Sequence, residues 1–195
     1  MKTKDEIKEK NLQQLLSIAP ERMMYYGVHL THSNATLDDF PKSITKQIIA
    51  PADDKGFYIH GQNGCGKTHL AAAILHHYLT TTPQQLHFTT LNKLFREIKA
   101  TFEPISEQTE SQLMAWYINM PVLFIDDIGA EKMTDWALSI LYAIIDERYG
   151  AMRKTIITSN MQPGELKGYC GSRVASRILG MCNVIKISGS DRRIK

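Results

Sequence analysis

The chain has no apolar stretch approaching the ~20 residues needed to cross a bilayer. Its opening, MKTKDEIKEK, lacks the apolar centre of a signal peptide. Membrane insertion and secretion are therefore not expected, and the cytoplasm is. Cysteine is scarce: Cys65, Cys170 and Cys182 are odd in number and stand in no metal-binding spacing, which argues for reduced thiols rather than a disulfide framework or a zinc site. All seven histidines lie between His29 and His87, none in ligand spacing with a cysteine. His76 and His77, adjacent on a helix, point in different directions and are expected to face solvent or to be otherwise satisfied. A large charge of one sign is missing too, since the net of +3 is too mild to name a partner. Internal repeats and low-complexity segments are also absent.

At 195 residues and 43% hydrophobic, the chain can bury one good-sized core but not two comfortable ones. Helical spacing of Ile7, Leu12, Leu15 and Leu16 predicts a helix over residues 4–18, stopped by Pro20. A second short helix is expected over 42–50. Strands and helices then alternate. Strands are expected at 56–60, 86–89, 122–126, 154–159 and 184–187, and helices at 67–79, 91–102, 107–120, 134–149 and 172–179. Runs such as VLFI and TIIT are continuously apolar, as strands covered by helices on both faces must be. The pattern is that of a doubly wound α/β domain, whose ligands gather at the carboxyl ends of the strands.

GQNGCGKT (Gly61, Gln62, Asn63, Gly64, Cys65, Gly66, Lys67, Thr68) lies between the strand GFYIH and the helix HLAAAILHHYL. It satisfies the phosphate-loop rule G-x-x-x-x-G-K-[ST] in its required setting. The glycines let successive backbone N–H groups face one anion, and the following helix adds its positive end. Lys67 supplies a cation for the β- and γ-phosphates of ATP, and Thr68 a hydroxyl for Mg2+. Further along comes VLFIDD, whose Asp126 lies fifty-nine residues after Lys67. Carboxylates at the end of a buried strand need compensation; Asp126 is placed to bind Mg2+ through water and Asp127 to polarise an attacking water. TIITSN ends in Asn160, read either as a turn residue or as a group orienting that water. Six of the eight arginines, Arg148, Arg153, Arg173, Arg177, Arg192 and Arg193, fall in the last quarter. They face either nucleotide and nucleic acid or solvent. Arg173 and Arg177 share a helix face. Arg173, following the stretch GYCGS expected to be a loop, is the candidate for a finger offered to a neighbouring subunit's γ-phosphate, and Arg192 for one offered to its own. A surface salt bridge is the other reading of each.

Taken in order, GQNGCGKTHLAAAI, LFIDDIGAE, ITSN and SRVASRI resemble the AAA+ ATPases of the DnaC/DnaI helicase-loader family, with the IstB transposition helpers close by. NATLDDFP (34–41) resembles that family's lead-in past the adenine base. The resemblance implies a P-loop NTPase of the ASCE/AAA+ kind: a three-layer α/β/α domain over 21–195 with a mostly parallel five-stranded sheet. A short helical extension over 1–20 is expected before it, and no C-terminal lid domain. It further implies ATP and Mg2+ as cofactors, self-assembly on ATP or DNA, a slow ATPase stimulated by assembly or DNA, and single-stranded DNA as a partner. The helices at 91–102 and 107–120 match the family's DNA-contacting pair. Within them Lys99 would meet phosphate and Phe102 would stack on a base, unless Phe102 is a core residue at a helix end. Three functions fit: a replication ATPase that loads a replicative helicase, an IstB-like helper acting with a transposase, and a nucleotide-dependent switch that barely turns over.

Overall fold

The computed structural model describes residues 23–81 and 85–189, so the helix expected over 4–18 and both Arg192 and Arg193 lie outside the described residues. Five strands, β1 (Gly56–His60), β2 (Leu86–Thr90), β3 (Val122–Ile128), β4 (Lys154–Ser159) and β5 (Cys182–Lys186), form one sheet in the order β2-β3-β4-β1-β5. Every pairing is parallel. Among the described residues these helices accompany them: α1 (Lys42–Ile49), α2 (Lys67–Thr81), α3 (Leu91–Ala100), α4 (Glu110–Asn119), α5 (Asp135–Gly150) and α6 (Leu166–Met181).

The period-2 alternation of the strands divides the core in two. Phe57, Ile59, Phe88, Phe124, Ile156 and Ile185 face α2, α1 and the lead-in segment. Tyr58, Leu123, Ile125 and Ile157 face the other way, onto α3, α4, α5 and α6. Buried on both faces, the central strands are largely apolar, with buried polar residues such as Asp126 and Thr158 as exceptions. The lead-in also protects one edge of the sheet, since the Phe88 N–H donates to the Tyr26 carbonyl at 2.7 Å.

Three expectations are corrected. Arg148 faces neither solvent nor a nucleotide: it is 0% exposed. Its guanidinium donates to the carbonyls of Tyr117, Ile118, Met120 and Lys154 and to the Thr155 hydroxyl, at 2.7–3.1 Å. It thereby closes the C-terminal end of α4 against the start of β4. Burial without a carboxylate partner pulls its pKa down to about 9. Arg153 lies at the same end of the sheet, bonded to the Asn119 side chain at 2.8 Å, away from the phosphate loop. GYCGS is not a loop; it belongs to α6, which breaks once at Gly171, where φ is 79° and ψ 161°. Finally, His76 is buried with its Nε2 unpartnered, and burial lowers its pKa.

Candidate nucleotide site

β1 ends at His60 and the chain turns through Gly61–Gly66 into α2. Gly64 and Gly66 adopt φ of 73° and 106°, a region that residues with a Cβ enter at a cost, and this curls the loop ahead of the α2 N-terminus. Lys67 is largely buried, its ammonium donating to the Gln62 carbonyl at 2.9 Å. A cavity of about 250 Å³ opens here between Thr31 and His32 on one side and Gly64, Gly66, Lys67, Thr68 and His69 on the other. Cys65 is buried beneath the loop.

β3 ends beside it. Strand alternation sends Asp126 to the α2 face, where the Thr68 hydroxyl lies 3.1 Å from both carboxylate oxygens. The Thr158 hydroxyl, on neighbouring β4, donates to Asp126 Oδ1 at 2.5 Å and accepts the Asp127 N–H at 2.8 Å. Burial raises the Asp126 pKa, opposed by the hydrogen bonds from Thr158 and Thr68 and by the Lys67 charge. Asp127 breaks the alternation. Its φ is 63°, the register slips between Ile125 and Ile128, and its side chain is exposed while its neighbours on both sides are buried. A left-handed aspartate at a strand end is strain held in place by its surroundings. It borders a second cavity of about 240 Å³ with Thr90, Asn92 and Glu131; the Asn92 amide donates to the Glu131 carboxylate.

Asn160 follows β4 directly and is exposed, so the structure brings it to the same sheet edge as Gly61–Thr68, Asp126 and Asp127. Arg173 is elsewhere. It is exposed on α6 beyond the Gly171 break and lines a cavity of about 420 Å³ with Asp135, Ser139 and Tyr142. That cavity shares no lining residue with the phosphate-loop cavity. Among the described residues no carboxylate pairs with Arg173. Arg177, by contrast, is paired with Asp146 and lies 5.2 Å from the centroid of the Tyr142 ring. Lys99 is exposed in the last turn of α3. Phe102 is 54% exposed and edge-on to Trp136, with centroids 6.3 Å apart, so it is not a core residue. Thr158 was missed by sequence reasoning. A hydroxyl inside an apolar strand was the available signal, because burying it requires a partner.

Thr68 and Asp126 offer oxygen ligands to one point beside the phosphate loop, a donor set that suits Mg2+ bound mainly through phosphates and water. No cluster of three or more His, Cys, Asp or Glu suited to a metal exists among the described residues, so a protein-only cage is not built here.

Residues 52–195 match the family described as IstB-like ATP binding protein. The chain belongs to that family. It is also similar to the replicative helicase loader DnaI of Bacillus subtilis, 30% identical over 71% of this chain and 48% of that protein. Against the replicative helicase loader DnaC of Escherichia coli K12 it is 28% identical over 78% of this chain and 66% of that protein. The crystal structure of the DnaC helicase loader superposes with a TM-score of 0.68 at 28% identity, covering 80% of this chain and 97% of that one. The chain spans about half the length of the DnaI relative. The expected resemblance to DnaC-like AAA+ proteins therefore stands, and so does the three-layer P-loop fold. No described helix is long and apolar enough to cross a membrane.

Proposed function

We propose that this protein binds and hydrolyses ATP in the cytoplasm, in the service of DNA replication, as a helicase loader or a shortened relative that engages single-stranded DNA. The observation that carries the reading is the convergence of Thr68, Asp126, Thr158 and Asp127 beside the phosphate loop. Backbone N–H groups of Gly61–Thr68 and the Lys67 ammonium receive the phosphates. Thr68 and Asp126 would hold Mg2+, and the ion would supply positive charge to offset that of the phosphates. Thr158 fixes both aspartates: it bonds the carboxylate of one and the backbone of the other. Asp127, exposed, is free to accept a proton from the attacking water, and Asn160 to orient that water.

Arg173 completes the site of a neighbouring copy, a choice over Arg177 supported by the contacts of Arg177 to Asp146 and Tyr142; Arg192 is proposed to reach the γ-phosphate of its own subunit. Exposed Lys99 and Phe102 are the proposed DNA contacts, for phosphate and base respectively. A replicative helicase is the proposed protein partner, supported by the similarity to DnaI and DnaC.

Steady-state phosphate release, measured with and without a single-stranded oligonucleotide, tests the reading. Turnover should be slow alone, rise with DNA, and vanish in Lys67→Ala. ATP binding without turnover under both conditions would leave only a nucleotide-dependent switch. Co-purification with a transposase in place of a replicative helicase would favour the IstB-like helper.

A further inference from the structure

His69, the residue after the phosphate loop, bonds the lead-in segment through both ring nitrogens. Its Nε2 lies 3.0 Å from Asp39 Oδ2, and its Nδ1 lies 3.3 Å from Nδ1 of His32. The rings of His32 and Phe40 pack against it, with centroids 5.6 Å and 5.8 Å away. Asp39 is itself fixed at the end of the turn Leu37–Asp39, accepting the Thr36 N–H at 2.8 Å. That bond holds its carboxyl below the usual range, against an opposing burial effect and with further lowering from His69. Asp39 is thus a committed acceptor. As an acceptor it pairs with a donor N–H at His69 Nε2, while the Nδ1–Nδ1 contact with His32 needs a proton on one of the two rings.

This places His69 at the seam of the phosphate-loop cavity. One wall, Gly64–Thr68, offers backbone N–H groups and a lysine to an anion. The opposite wall is Thr31 and His32, which offer no such array. The remaining part of a nucleotide with its phosphates in the loop faces this second wall, and His69 is a hydrogen-bonded tie between that wall and α2.

We propose that His69 is a positioning residue for nucleotide binding: by tying His32 and Asp39 to the first turn of α2, it holds the lead-in as the wall that receives base and ribose. The inference rests on the nucleotide reading above and assigns His69 no contact with the phosphates. Calorimetric titration with Mg2+–ATP and with Mg2+–tripolyphosphate separates the walls. His69→Ala should weaken ATP binding about tenfold, the size of one hydrogen bond to a charged group, and leave tripolyphosphate binding within about twofold. His69→Gln, whose amide can replace Nε2 as donor to Asp39, should recover most of the ATP affinity. Asp39→Ala should reproduce His69→Ala, and the double variant should be no weaker than either alone. Unchanged ATP affinity in His69→Ala overturns the proposal, as does an equal loss of both ligands, which would make His69 a support of the loop. If His69→Ala does not fold, Asp39→Ala and His69→Gln decide the matter by the same comparison. Failure of the unaltered protein to bind ATP would instead remove the nucleotide reading and this inference with it.

Discussion

Asp126 and Asp127 are neighbours with the same side chain and opposite surroundings. One is buried between two threonine hydroxyls with its pKa raised; the other is turned outward by a left-handed backbone. Asp127→Asn should therefore keep Mg2+–ATP binding while slowing hydrolysis by about a hundredfold or more. Asp126→Asn should raise the Mg2+ concentration needed for binding. Titrating both variants with Mg2+ and following phosphate release checks the division, and identical profiles would refute it. The phosphate loop was legible because its chemistry needs eight contiguous residues between a strand and a helix. The two aspartates were legible because charge at the end of an apolar strand demands a reason. Thr158 was not, since it acts through β4 lying beside β3, and local sequence does not state which strands are neighbours.

Among the elements, α5 shows how a helix can be read correctly in extent and wrongly in role. Its span was expected to within a residue at each end, but Arg148 in its last turn was expected outside. A charged residue near a helix end ordinarily is. Here three guanidinium nitrogens meet five acceptors, so the guanidinium is a fastener between α4, α5 and β4. Arg148→Met should lower unfolding free energy by roughly 3 kcal/mol or more, because buried carbonyls lose their partner. Arg148→Lys should recover only part, lacking the fork. Urea unfolding midpoints with unchanged slopes would measure both; a loss under about 1 kcal/mol in Arg148→Met would contradict the account. The glycines of GYCGS misled in the same way. Gly168 sits within α6, and only Gly171 breaks it, a distinction that composition does not make.

At the scale of the whole molecule, alternating strand and helix signals were enough for a doubly wound sheet, but not for the placing of β4 between β1 and β3. A single copy does not bring Arg173 to its phosphate-loop cavity, and this carries a prediction about assembly. Arg173→Ala should bind ATP normally yet lose turnover on single-stranded DNA, by up to about 10³-fold. Mixing Arg173→Ala with Lys67→Ala subunits should restore some phosphate release, since an intact arginine in one copy can then serve an intact loop in the next. No recovery at any ratio, with co-assembly demonstrated, would remove the trans role. The strand order also sets a timetable. β1 pairs only with β4 and β5, so Phe57 must wait for Ile156, about a hundred residues later. At translation rates of ~5–20 residues per second that is a delay of roughly 5–20 s. The strand that leads into the phosphate loop is the first of the sheet to be synthesised and among the last to be paired. Until then its fully apolar face stands open, and the nascent chain is most exposed to mispairing at the very segment on which nucleotide binding depends.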